Sequence, residues 1–307
     1  MSDNKTVSHQ ILYTDLFDIS NRLIAPKGSP VDFGLVRKAM DHGQKVKKTF
    51  VQFGSTPLFR YFKSIFNEEK YFTIFTPYKT NEEISDIVKN IVLTRELYEE
   101  LKNIESHLPY TFRHILLVTA LMVKMALDLH GRNYSPASAA LAGLMHDLGK
   151  SRIPKQVLAK DTPLTKTEHD FLKTHSLMGY ILLCYYLGPG FYDICESARD
   201  HHEKLDGSGY PRGIKNTGTY ARLMMPIDIF DALISERPYR DSPYTIRQAL
   251  DFLVHEASMD KIDKEVVYCL ISYVRKEHPR PEELSPYEKK DFLSRSDNIY
   301  GKIIPDP

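Results

Sequence analysis

The sequence predicts a mainly α-helical fold, a helical bundle preceded by a smaller N-terminal α+β segment. Three observations carry this. From residue 81 onward apolar residues recur at helical spacing between recognisable caps, and before residue 80 short β-favouring runs alternate with turn residues. In the second half, His and Asp fall close to the ends of predicted helices. With 307 residues the chain is long enough to bury a real core. The composition shifts divide it into an accessory α+β domain (1–80), a connecting helix (81–109), a large helical domain (110–280) and a polar C-terminal extension (281–307).

Each element has a local reason. Residues 11–30 read as short extended pieces broken by Asn21, Pro26 and Gly28-Ser29-Pro30, and a helix follows over 32–41. Residues 49–53 and 71–75 are further strand-like runs. Residues 82–105 form a charged helix with Ile84, Ile87, Val88, Ile91 and Val92 along one side, and 111–129 form the next. Ser135 is a good N-cap, Pro136 suits the first helical position and Gly149 suits the stop, which puts His146 and Asp147 in the last turn. Thr165-Lys166-Thr167-Glu168 is a capping box opening a helix that carries His175 near its end. Helices over 176–187, 191–202 and 220–235 complete the set, and the last of these carries Asp228.

Composition excludes several classes. With 41 Lys+Arg against 40 Asp+Glu, no global field favours a nucleic-acid polymer or an anionic membrane. The Lys45–Lys48 cluster reads as a solvated face. The polar first ten residues lack the apolar core of a signal peptide, and the most apolar run, 115–123, is shorter than a membrane span, so a cytoplasmic location is expected. Cys184, Cys195 and Cys269 lie among apolar residues without close pairing and read as reduced core thiols.

The chemistry lies in five separated points: His114, His146-Asp147, His175, His201-His202 and Asp228. Imidazole with carboxylate and no thiolate fits Fe, Mn or Zn rather than copper or calcium, and the set suffices for two ions. A carboxylate can bridge two metals, and Asp147, central in the set, is the natural bridge. Two ions about 3.5–4 Å apart can activate a water between them and clamp a phosphoryl group, which makes a metal-dependent phosphodiesterase the expected activity. If helical, His201 and His202 point about 100° apart, so each serves a different metal or lies where the helix unwinds. Lys150 places a cation beside the metals where a phosphate oxygen needs one. His9, His42, His107, His130, His169, His255 and His278 have no such partners and read as surface residues. Asp231 reads equally as a partner behind a ligand or as a helix-face charge.

In the order HDLGK (146–150), Ile153-Pro154, Leu164-Thr165, His175, HHEKLDGSGYPRG (201–213), DIFDAL (228–233) and ERPYR (236–240), the chain resembles the HD-GYP branch of the HD-domain phosphohydrolases over 110–253. The resemblance implies an all-helical HD-domain catalytic bundle with two or three metals, iron first and manganese next. It also implies hydrolysis of cyclic di-GMP to pGpG or GMP. Residue by residue it assigns metal binding to His114, His146, Asp147, His175, His201, His202 and Asp228, with Asp147 and Lys150 catalytic, and contact with phosphate or guanine to Lys150, Tyr210, Arg237 and Arg240. Tyr110 stands where three-metal members carry Glu, so two metals are expected. Pro226 lies inside the helix of Asp228, Asp241 follows Arg240 where many relatives carry a cation, and Asp161-Thr162-Pro163 replaces the usual Pro-Gly-Lys. Two other functions share these ligands: an HD phosphohydrolase for another nucleotide, and a metal-containing module that binds a cyclic dinucleotide and signals through the N-terminal domain to a protein partner.

Overall fold

The computed structural model describes residues 11–76, 78–129, 134–236, 242–275 and 278. The fold is mainly helical with a few short strands at its N-terminal side. Strand β1 (Leu16–Phe17) pairs antiparallel with β2 (Leu23–Ala25). Asp18 ties that turn by accepting from the amides of Ser20 and Arg22. The Asp32 carboxylate accepts from the Leu35 amide and starts α1 (Phe33–Gln44). Strand β3 (Phe50–Gln52) follows, then α2 (Leu58–Ser64), α3 (Tyr78–Lys89), β4 (Val92–Thr94) and α4 (Arg95–His107).

Two expectations fail here. Residues 82–105 are not one helix, because Asn90 breaks the run and 92–94 pair antiparallel with β3. The β-branched and apolar run Ile91, Val92, Leu93 gains more from a strand partner than from continuing a helix. Residues 71–75 are not a strand. Tyr71, Ile74 and Phe75 are the fully buried positions, a helical spacing rather than an alternating one, and Tyr71 ends a 3₁₀ turn (Glu69–Tyr71).

The helical part runs α5 (Pro109–Asp128), α6 (Pro136–Met145), a 3₁₀ turn (Leu148–Arg152), α7 (Lys155–Leu158), α8 (Lys166–Lys173), α9 (His175–Leu187), α10 (Tyr192–Asp200), α11 (Thr219–Ile234), α12 (Ile246–Ser258) and α13 (Lys264–Tyr273). The Ser135 cap and the Thr165–Glu168 capping box form as expected. α5 is long and apolar enough to cross a bilayer, yet it is the core helix, with 83% of its apolar window buried. It packs on α6 and α11, while α9 packs on α1 and α10. One hydrophobic core runs from Leu12 to Tyr273. The buried Glu100 carboxylate is paired by Arg152 and accepts from Tyr186, and Arg152 also donates to the Phe17 carbonyl, tying β1 to the turn that follows α6.

Helix ends differ from expectation where they matter. α6 stops at Met145, so His146 is its C-cap and Asp147 lies beyond it. Gly149 has no positive φ and does not cap the helix. Its hydrogen side is pressed on α9, where an added Cβ would lie 1.9 Å from the His175 carbonyl oxygen. His175 opens α9 rather than closing α8, and α10 ends at Asp200, so His201 and His202 occupy the unwound end. Pro226 sits inside α11 without breaking it.

Candidate metal centre

Helix ends deliver His146, Asp147, His175, His201 and His202, and the bodies of α5 and α11 deliver His114 and Asp228, to one buried site. The seven residues singled out for metal binding come together. Metal-ligand atoms of His114, His146 and Asp228 lie within 4.8 Å of one another, and those of His175, His201 and His202 form a second such trio. Asp147 stands between the trios. Its Oδ2 is 3.7 Å from His114 Nε2 and 3.4 Å from His146 Nε2, while its Oδ1 is 3.5 Å from His175 Nε2 and 3.9 Å from His201 Nε2. Asp228 reaches both sides as well, with Oδ1 3.0 Å from His114 Nε2 and Oδ2 3.8 Å from His202 Nδ1.

The rings are aimed by their outer nitrogens. His146 Nδ1 donates to Gly143 O at 2.8 Å, His175 Nδ1 to Leu172 O at 2.6 Å and His201 Nδ1 to Ala198 O at 2.9 Å. Each acceptor is three residues back on the same stretch of chain, so local geometry leaves Nε2 bare and facing inward. His114 is anchored differently, by the Asp231 carboxylate at 2.5 Å. Asp231 therefore stands buried behind His114 and is not an open helix-face charge. Tyr110, one turn before His114 on α5, offers a phenol where a third-metal site would need a carboxylate.

The donor set fits divalent cations. His146 Nε2 and Asp147 Oδ1 are buried and have no hydrogen-bond partner among the described residues, an arrangement that is costly unless something else satisfies them. Electrostatics point the same way. Burial alone would raise the Asp147 carboxyl, but Lys150 and His146 hold it well below the usual range. Burial likewise opposes the ionised Asp228, and His114 overrides it. Burial lowers His175 to about 4, against the pull of Asp147, and lowers His201 to about 3 with help from His146 and His175. His202 is lowered in the same way by burial and His201. These imidazoles are neutral near pH 7, the form that binds metal. For His114 burial is outweighed by Asp228 and Asp231, and its pKa rises to about 8.

The cleft mouth is built from the turn 201–214. Tyr210 stacks on His202 with centroids 4.7 Å apart, and the Tyr210–Pro211 peptide is cis. Glu203, fully buried, accepts from the Arg212 amide at 2.6 Å and the Ile214 amide at 3.1 Å. Arg212 also grips Asp200 at 2.6 Å, and Arg199 pairs with the same carboxylate. Gly209 lies so close to the backbone of Glu203 that a Cβ would be 2.4 Å from it. Lys150 Nζ donates to Asp147 Oδ2 at 2.6 Å and so stands at the cleft. Arg237 and Arg240, along with Asp241 and the extension 281–307, lie outside the described residues.

Sequence reasoning missed Lys173, whose Nζ lies 5.1 Å from the centre of the Tyr210 ring. Nothing in the sequence separates it from an ordinary helix-face lysine. It also missed the loop-holding roles of Asp200 and Arg212, and Tyr71, which donates to Asp231. Asp200 could have been flagged by its place directly before the histidine pair. Tyr71 gave no signal, lying far off in sequence among apolar residues. The three cysteines are free and buried, as expected.

Residues 84–266 match the HD domain. The chain is similar to the 3′3′-cGAMP-specific phosphodiesterase 1 of Vibrio cholerae, at 34% identity over 53% of this chain and 37% of that protein. It is similar to a cyclic di-GMP phosphodiesterase of Pseudomonas aeruginosa at 36% identity, covering 43% of this chain and 32% of that one. A cyclic di-GMP phosphodiesterase of Thermotoga maritima is 29% identical over 69% of this chain and 55% of its own length. The chain thus spans between 32% and 55% of the length of these relatives.

Proposed function

The chain belongs to the HD-domain family, in its HD-GYP branch, and on that premise we propose that it is a metal-dependent phosphodiesterase that opens a cyclic dinucleotide. Cyclic di-GMP is the first substrate to test and 3′3′-cGAMP the second, since relatives carry both names. Hydrolysis adds water across one phosphodiester, breaking a P–O3′ bond and leaving a linear dinucleotide, pGpG from cyclic di-GMP. A second cut gives GMP.

The observation that carries this reading is Asp147, whose two oxygens face two separate ligand trios while one of them lacks a hydrogen-bond partner among the described residues. His114, His146 and Asp228 would hold one divalent ion, and His175, His201 and His202 the other, with Asp147 between. Iron is the first candidate and manganese the next. Bound there, the pair would lower the pKa of a water and neutralise charge on the phosphoryl oxygens.

The chain's own groups do the rest. Lys150 presents a cation beside Asp147, where a nonbridging phosphate oxygen of a bound substrate would need one. Tyr210, fixed against His202, puts a phenol at the mouth for the nucleotide, and Lys173 over its ring adds a cation. The buried Asp200 and Glu203 keep that wall in place by holding Arg212 and Ile214. Arg237 and Arg240 complete the proposed substrate contacts.

The test is product analysis by mass spectrometry after incubating anaerobically purified protein with cyclic di-GMP, or with 3′3′-cGAMP, and Fe²⁺ or Mn²⁺. Metal-dependent linear product that vanishes in Asp147→Ala is expected. Full metal occupancy with no product from either nucleotide would refute the reading.

A further inference from the structure

Three of the inward-facing histidines are anchored by carbonyls three residues back, so their aim is a local property of the chain. His202 rests on His175 Nε2 at 3.1 Å and on the Tyr210 ring, and His114 is held by a carboxylate. Its Nδ1 is held by Asp231 Oδ2 at 2.5 Å, a carboxylate from a different helix, so its aim depends on how Asp231 is held. Asp231 is fully buried, and its other oxygen accepts from Ser235 Oγ at 2.8 Å and from the Tyr71 hydroxyl. Ser235 lies one turn further along from Asp231 and can follow it. Tyr71 cannot, because it belongs to the 3₁₀ turn Glu69–Tyr71 in the N-terminal part of the chain.

The turn is itself fastened to the His114 helix. Glu68 accepts from Arg113 Nε at 3.0 Å and is paired with the same guanidinium a second time. Arg113, adjacent to His114, lies 5.6 Å over the Tyr71 ring, 3.2 Å from Ser235 Oγ and 3.8 Å from Asp231 Oδ1. Lys70 Nζ reaches the Ile234 carbonyl at the end of α11 at 3.5 Å. Residues 68–71 thus bridge the helix of His114 and the helix of Asp228 and Asp231.

We propose that Tyr71 is a positioning residue that fixes Asp231, and through it His114, so that the N-terminal segment sets the strength of one metal position and not the other. This rests on the metal-centre reading above. Among the described residues no hydrogen bond or ion pair joins the His175, His201 and His202 trio to residues 68–71, and His175 and His201 keep their local anchors. Partners behind a metal-binding histidine typically change affinity by about 10- to 100-fold, and Tyr71, one bond further out, is expected at about the lower end.

The experiment is Mn²⁺ binding to the full chain, followed by the loss of the free-ion electron paramagnetic resonance signal, for wild type, Tyr71→Phe and Tyr273→Phe. Tyr273 donates to Asp128 at 2.6 Å at the other end of α5, so it controls for losing a tyrosine–aspartate bond. Tyr71→Phe is expected to weaken one of two Mn²⁺ sites about tenfold and leave the other within about twofold, with Tyr273→Phe unchanged. Unchanged binding at both sites in Tyr71→Phe overturns the proposal. Equal weakening of both sites with a lowered melting temperature also overturns it, in favour of a merely structural tyrosine. If Tyr71→Phe does not fold, 3,5-difluorotyrosine placed at 71 keeps the ring and alters only the strength of donation. A change confined to one site then supports the proposal, and no change at either overturns it. A wild-type chain that binds no Mn²⁺ overturns the metal-centre reading itself, a result distinct from all of these.

Discussion

Gly149→Ala is the smallest change that should disable the proposed metal centre without touching one of its proposed ligands. A methyl at 149 would lie 1.9 Å from the His175 carbonyl oxygen and 2.6 Å from the Gly179 amide nitrogen, both backbone atoms of the first five residues of α9. Ordinary contact begins at 3.4 Å, so the 3₁₀ turn and α9 must part by about 1.5 Å (3.4 − 1.9). That gap opens between Asp147, two residues before the methyl, and His175, whose ligand atoms are now 3.5 Å apart. Metal sites tolerate about 0.2 Å in ligand distance, so a displacement several times larger should weaken metal binding by about 10- to 100-fold or more. Forcing an extra methyl into close-packed backbone costs about 3 kcal/mol, which lowers the melting temperature by roughly 5 °C for a chain of this size. The assay is metal content after dialysis against graded free Mn²⁺, with melting of the chelator-stripped protein alongside. An alanine variant that holds metal within about twofold of wild type and melts within a degree of it would refute the close-approach argument.

Three further outcomes follow from the same geometry. Arg212→Ala removes the two bonds to buried Asp200 that hold the Tyr210 turn, leaving Arg199 to cover that carboxylate; about 2 kcal/mol should be lost in urea denaturation and KM should rise more than kcat falls. Unchanged stability and KM would show that the turn holds itself. Lys173→Ala, removing the cation over Tyr210, should raise KM for cyclic di-GMP about fivefold with kcat nearly kept, and equal kinetics at low and high salt in both proteins would count against a substrate contact. Metal-stripped protein should be most stable near pH 6.5. The folded pKa of His114, about 8, adds stability that is fully present below the unfolded value of 6.5 and lost as pH rises through 8. His175 and His201, at about 4 and 3, do the reverse. Below pH 6.5 the unfolded chain takes up protons that the folded chain refuses, and His175 alone removes about 2 kcal/mol by pH 5. Denaturation with chelator at pH 5, 6.5 and 8.5 checks this, and stability that climbs between pH 6.5 and 5 contradicts it.

What the sequence determined by itself was whatever depends on near neighbours in the chain. The Ser135 cap and the Thr165–Glu168 box are contacts three residues apart, and they form where the sequence puts them. The ligand types and their order are equally local facts, and residues 84–266 match the HD domain they implied. The tertiary structure decided matters of long range. Tyr71, Ile74 and Phe75 look strand-like in isolation, but the core they fill selects a helical spacing. Gly149 looks like a helix stop, yet what requires glycine there is the backbone of α9, 26 residues on at His175. Asp231 could not be told from a surface charge because its partners, Tyr71 and His114, sit 160 and 117 residues away. Local rules report the shape a short stretch prefers, whereas the aim of a buried side chain is set by whichever distant groups pack against it, and those are known only once the chain has folded.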